Sequence, residues 1–291
     1  MQKPPHFFEI TPRTWHEAKL IGDLIADYNI FRGQADSKWP LETTLLRSDL
    51  LNPNKNPDIN DIRIREQQIL KRFKSRAHQY IQSPPNDKEY VEWFSLIQDH
   101  GGPSRLLDFS ESFYVASFFA LEAVKEIGCV WAIHQLGLFG GLTNKSNIRD
   151  SVIFKIKPIP NKIYHGESEL VLRYAESFIE DEIKSEDFVL KVIPPRLNER
   201  LAVQKGVFLF PCNINKSFEY NLCRTIKFPF DSLESKNAIQ LNYEEFLIER
   251  NRIIQTAKQE RGSGFHDDLI PVIKLIYLKN LGKMRSMICI E

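Results

Sequence analysis

The sequence lacks most of the short signatures that tie a chain to a chemistry. It contains no Gly-x-Gly-x-x-Gly or Gly-x-x-x-x-Gly-Lys-Ser/Thr segment, so the signals of Rossmann and P-loop nucleotide sites are missing. It has no Gly-x-Ser-x-Gly elbow and no His-Glu-x-x-His helix, and His100 and His134 do not stand at metal-binding spacing. Cysteine is scarce. Cys129, Cys212, Cys223 and Cys289 are far apart with no Cys-x-x-Cys pair, which argues against zinc, and three of them sit beside apolar residues as reduced, buried thiols would. No apolar run approaches the roughly 20 residues of a membrane span, and Met1 to Glu9 contains no apolar signal core. Charge of one sign is missing too: a net charge of +1 gives no global electrostatic case for nucleic acid. An intracellular, cytoplasmic protein with no membrane partner is the expectation.

What remains is a chain able to build a core. It has 291 residues, 42% hydrophobic and 11% aromatic, enough for one large domain or two small ones. No repeat or low-complexity segment interrupts it. Residues 11–27 predict a helix capped by Thr14 with Glu17 completing a capping box. Tyr28 to Arg32 predicts a strand, and 52–57 a loop. Residues 59–82 and 88–100 predict amphipathic helices, the first strongly basic on its outer face, where a solvated surface is favoured over nucleic-acid contact. Strands are predicted over 104–109, 129–134, 151–157, 188–193, 206–210 and 226–230. Helices are predicted over 111–126, 197–205, 243–260 and 268–279. Helices come first and strands with few crossover helices follow, which favours α+β with a mixed or antiparallel central sheet. The expected organisation is an N-terminal helical extension over 1–27 and an α+β domain over 28–291, with a helical part from about residue 240.

Three polar clusters stand out. The first is Phe31-Arg32-Gly33-Gln34. An arginine ending an apolar strand can offer its planar fork to a phosphate, beside a glycine that allows close approach and an amide that donates and accepts. The alternative is a structural ion pair, with Asp108 one candidate partner. The second runs from Gln98 to Ser110 through a Gly101-Gly102-Pro103 turn. Within it His100 is either a ligand contact or a helix C-cap. Asp108 and Ser110 share one strand face, yet helix capping alone would also explain them. The helix that follows carries a small stripe, Ala116, Ala120 and Ala123, which permits close packing on a sheet. The third cluster is Arg196 to Phe208, in which Arg200 and Gln204 share a helical face.

At these residues the chain resembles the FRG domain family. The resemblance is carried by Phe31-Arg32-Gly33-Gln34 with Trp39 and Leu41, by Gln98 to Ser110, and by Val115-Ala116-Ser117-Phe118-Phe119-Ala120. Later elements are Asn198, Arg200, Gln204, Gly206 and Phe208, and then Phe265-His266-Asp267-Asp268-Leu269. Ser104, Phe109, Ser110 and His266 stand where the family pattern has Thr, Trp, Thr and Pro. The family's membership implies a bacterial or phage protein with a role in anti-phage defence or a toxin–antitoxin module. The layout is also similar to that of ADP-ribosyltransferases, which implies that fold and NAD as cosubstrate. By that resemblance Arg32 binds pyrophosphate, Asp108 and Ser110 serve the ribose, and Gln204 takes the third catalytic position, with Glu199 an alternative because a glutamine is no general base. Arg32, Gly33, Gln34, His100 and Arg105 are the implied cofactor-binding set. The acceptor would be nucleic acid or protein, and an antitoxin or chaperone a partner. Two other readings stand beside this one: a non-enzymatic nucleotide- or nucleic-acid-binding module, and a partner-binding scaffold.

Overall fold

The computed structural model describes residues 7–50, 59–135, 138, 167–180, 185–196, 199–226, 239–261 and 272–278. The predicted strand over 151–157, the loop over 52–57, Asn198 and the 265–269 segment lie outside them. In chain order the strands are β1 (Phe7–Ile10), β2 (Asn29–Gln34), β3 (Leu107–Ser110), β4 (Ile127–His134), β5 (Val189–Val192), β6 (Gly206–Pro211), β7 (Ile239–Leu241) and β8 (Val272–Leu278). The helices are α1 (Trp15–Ile25), α2 (Thr44–Leu50), α3 (Ile59–Ala77), α4 (Tyr90–Asp99), α5 (Phe113–Glu122), α6 (Glu167–Ile179), α7 (Glu199–Val203), α8 (Phe218–Thr225) and α9 (Tyr243–Arg261).

The eight strands of the described residues form one open sheet in the order β5-β6-β3-β2-β4-β8-β1-β7. β1 runs parallel to both its neighbours and every other pairing is antiparallel, so the sheet is mixed, as expected. The segment expected as a helix over 268–279 is instead strand β8. Its run Val-Ile-Lys-Leu-Ile-Tyr-Leu lies between β4 and β1; it is apolar or aromatic at every position but Lys274, and so short an apolar run cannot be told from a buried helix segment by its period. Ile226 is the C-cap of α8, and the rest of the strand predicted over 226–230 lies outside the described residues. The predicted cap of α1 holds: Thr14 accepts the Glu17 N–H at 3.2 Å, while the Glu17 carboxylate reaches back to the Arg13 N–H. For α5 the cap is Ser112, not Asp108 or Ser110.

Three cores cover the sheet. Phe31, Val130, Ala132, Ile273 and Leu275 pack with α1, α5 and α9. Ile30, Trp131, Phe109 and Leu209 pack on the opposite side with Phe218 and Leu222 of α8. Leu190, Val192, Phe208 and Phe210 of the β5–β6 end pack under α3, α4 and α6.

Helix α5 sits unusually close to β2 and β4. A Cβ on Gly33 would lie 1.9 Å from the Ala116 carbonyl oxygen, and one on Gly128 would lie 2.7 Å from that of Ala120. The alanine stripe read from sequence therefore meets glycines, and small residues on both partners let the backbones touch. Gly33→Ala is expected to cost about 1–3 kcal/mol or more, because the obstacles are helix backbone that cannot rotate away. Urea unfolding of the variant checks this.

Candidate functional site

Strands β2 and β3 share a single registered pair, Phe31 with Ser110. A regular ladder would continue with Arg32 opposite Phe109. Instead the Arg32 side chain enters the opening, and its Nη1 donates to the backbone carbonyl of Asp108 at 2.7 Å. A cavity of about 320 Å³ lies beside this interruption, walled by β2, β3, the N-terminal half of α5, Arg47 of α2, and Arg200 and Gln204 at the α7–β6 turn. That volume lies at the small end of ligand sites.

Its charge is one-sided. Among the described residues Arg32, Arg47 and Arg200 line it against one carboxylate, Asp108. Arg32 is 15% exposed, and the Asp108 carboxylate lies 3.9 Å from its Nη1. Both readings of Arg32 therefore coexist: it pairs weakly with Asp108 and still faces the cavity. Burial holds its pKa below the usual guanidinium value, Asp108 opposes that shift, and the neighbouring Arg47 adds to it. Among the described residues the Nε atoms of Arg32 and of Arg47 are both buried without a hydrogen-bond acceptor. A buried charged donor left unpaired costs more than a neutral one. Arg200 forms an ion pair with Asp99 at 2.8 Å and is half-exposed. The Asp108 carboxylate, 43% exposed, accepts from Gln98 Nε2 at 2.5 Å.

The other sequence candidates divide between cavity and scaffold. Ser110 lines the cavity, but its hydroxyl donates to the Gln204 carbonyl at 2.6 Å and accepts from the Ser112 N–H at 2.9 Å. Together with the Glu111 N–H donating to the Lys205 carbonyl, it ties the end of β3 to the 204–206 turn. In that turn Lys205 has a left-handed φ of 45°. The Gln204 amide faces the cavity with no hydrogen bond among the described residues. Gln34 touches the cavity but is anchored: its Oε1 accepts from Trp131 Nε1 at 2.7 Å and its Nε2 donates to the Pro40 carbonyl at 3.1 Å. Gly33 serves the approach of α5.

Arg105 and His100 stand apart. Arg105 is sealed in a bidentate pair with Glu66 of α3, both side chains 3% exposed, its guanidinium over the ring of Phe210. His100 is the C-cap of α4 and packs on Phe73, 5.7 Å between ring centroids. Glu199 opens α7, exposed, and is not among the residues lining the cavity.

Sequence reading missed Arg47, the Trp39 and Phe119 rings at the cavity edge (49% and 39% exposed), and Gln98 as the partner of Asp108. Arg47 carried no local signal. Its helix is placed by bonds across 60 residues: Thr44 Oγ1 donates to the Ser104 carbonyl and accepts the Ser104 N–H, and the Leu45 N–H adds a second bond to that carbonyl.

The loop that carries Trp39 is fastened to α8 through Glu42, whose buried carboxylate accepts the N–H groups of Thr43 and Phe218. Burial raises its pKa from the usual 4.5 to about 7, although those hydrogen bonds pull the other way. The folded chain thus keeps a proton that the unfolded chain has already released. This contribution is complete below about pH 4.5 and is lost as pH rises to about 7, by about 3 kcal/mol at most. Glu176 in α6 is raised to about 7 as well, again chiefly by burial, and acts with the same sign. Glu42→Gln, which keeps an acceptor for Phe218, is expected to remove part of the fall in melting temperature between pH 5 and 8. A parallel profile for the variant would show that Glu42 does not titrate there.

Among the described residues no group of three or more His, Cys, Asp or Glu side chains is placed to hold a metal ion, and no helix is long and apolar enough to cross a membrane. No curated protein and no solved structure matches the chain. The family model that matches covers β2 through the start of β4, including the opened strand pair, the Gly-Gly-Pro turn and α5, while the later Arg200–Phe208 element lies beyond it. The chain therefore carries an FRG domain over residues 27–127.

Proposed function

We propose that the cavity binds an NAD-type dinucleotide and that the chain transfers its ADP-ribosyl group to a nucleic-acid or protein acceptor, as a toxin or anti-phage effector. The observation that carries this reading is that the guanidinium side chains of Arg32 and Arg47 line one cavity in which, among the described residues, the single carboxylate is already engaged by Gln98. A phosphate group supplies the acceptors these guanidinium groups lack, with charge-assisted bonds on both. In the reaction the bond from the ribose C1′ to nicotinamide breaks, nicotinamide leaves with the electron pair, and the acceptor nucleophile attacks C1′ and gives up its proton. The protein holds the phosphates at Arg32 and Arg47. It sets the Asp108 carboxylate against the positive charge that develops on the ribose, and orients the sugar through Gln204. The aromatic edges of Trp39 and Phe119 offer faces for a flat ring.

One observation favours a second reading, a nucleotide-binding module without chemistry. The Ser110 hydroxyl is spent on the backbone, and no glutamate among the described residues lines the cavity. Calorimetric titration with NAD and with ADP-ribose, alongside chromatographic measurement of nicotinamide release, separates the two. Binding with release is the expected result. Binding of either ligand without release, acceptors supplied, leaves the module. Absence of binding to both ends the nucleotide reading.

A further inference from the structure

A second concavity, of about 410 Å³, lies between the C-terminal turns of α3 and the C-terminal end of α4. Its floor is made by Ile69, Ala77, Ile81 and Ile97 with the ring of Phe73. Its rim is Arg72, Arg76, Tyr80 and His100, all exposed, Tyr80 by 75%. Among the described residues no carboxylate lines it. Among the described residues Arg72 and Arg76 form no ion pair, unlike Lys74 on the same helix, which meets Asp87.

This face stands beside the cavity of the FRG domain. Three consecutive residues join the two: Gln98 holds the Asp108 carboxylate, Asp99 holds Arg200, and His100 forms the groove rim. An occupant of the groove would therefore be carried against the wall of the cavity.

We propose that the groove docks a protein segment presenting one large apolar side chain between carboxylates. The argument is charge complementarity over an apolar floor: the floor takes the side chain, and the unpaired guanidinium groups take flanking Asp or Glu. A nucleic-acid strand would find the same two cations, but the floor does not suit bases. It is mainly aliphatic, and the Phe73 ring already meets Trp93 edge-on and His100. A nucleobase pressed onto it would bury polar edges with nothing to bond them. The site is independent of the dinucleotide reading and stands or falls separately from it.

The test uses the full chain and a short fluorescein-labelled peptide with a central Leu-Phe pair between runs of Glu, read by fluorescence polarisation. Controls are the Lys-for-Glu counterpart and a labelled oligouridine. Weak, salt-sensitive binding of the acidic probe is expected, falling roughly tenfold or more in the Arg72→Glu/Arg76→Glu variant and several-fold in Tyr80→Ala. All three residues are exposed, so an unchanged melting temperature confirms that the variants fold. Equal binding of the Lys counterpart, tighter oligouridine binding that the same variant abolishes, or no binding of the acidic probe would each overturn the proposal.

Discussion

Glu66→Ala is expected to lower the free energy of unfolding by about 3–5 kcal/mol, and Arg105→Ala by a similar amount, because each leaves a buried charge without its partner. Both side chains are 3% exposed, and their bidentate contact joins α3 to the segment that follows the Gly-Gly-Pro turn. Phe94 and Phe210 close over the guanidinium, so little water can replace the lost carboxylate. Replacing both members with apolar residues of similar length, Glu66→Leu with Arg105→Met, should recover most of the loss, since buried pairs often exchange for hydrophobic contacts at little net cost. Urea denaturation of the two single variants and the double variant gives the coupling directly. Near-wild-type stability in both single variants would mean that the pair is open to water, and Arg105 would again be available to a ligand.

That pair also shows what the sequence concealed. Arg105 sits inside the segment with the densest polar chemistry, yet its partner is 39 residues upstream on a helix whose basic face drew attention instead. Local reading cannot distinguish an arginine that waits for a ligand from one that waits for a glutamate. The same applies to Gln34, whose amide is consumed by Trp131 and Pro40. Gly33 was legible as a point of close approach, but the approaching group is α5 rather than a ligand. The alanine stripe, the Thr14 cap and the helix–strand order of the first half, apart from β1 and α2, were legible because each is a local pattern. The convergence of Arg32, Asp108, Ser110 and Gln204 on one cavity followed from treating separate motifs as one site. Arg47 was not legible, because nothing in its own neighbourhood records the hydrogen bonds between Thr44 and Ser104 that place it. Strand β8 was hidden for a different reason: with Lys274 its one charged residue, the run shows no apolar–polar alternation to give it a period.

Arg47 gives the sharpest test of what the cavity is for, because binding and stability should move in opposite directions. Loss of its charge-assisted contacts is expected to weaken dinucleotide binding by roughly ten- to a hundredfold, the equivalent of about 1.5–3 kcal/mol. Arg32→Ala should weaken it at least as much. That result alone is ambiguous, however, since Arg32 also bonds the Asp108 carbonyl where the strand ladder stops. Among the described residues the Arg47 side chain has no such second duty. Its Nε is buried without an acceptor, and its charge lies close enough to disfavour the charged form of Arg32. Removing it relieves both costs, so Arg47→Ala should melt at the wild-type temperature or slightly above while binding poorly. Such opposition is the mark of a site that carries strain for its ligand. A variant that instead melts lower and binds normally would make Arg47 a structural residue and remove the principal support for a phosphate site.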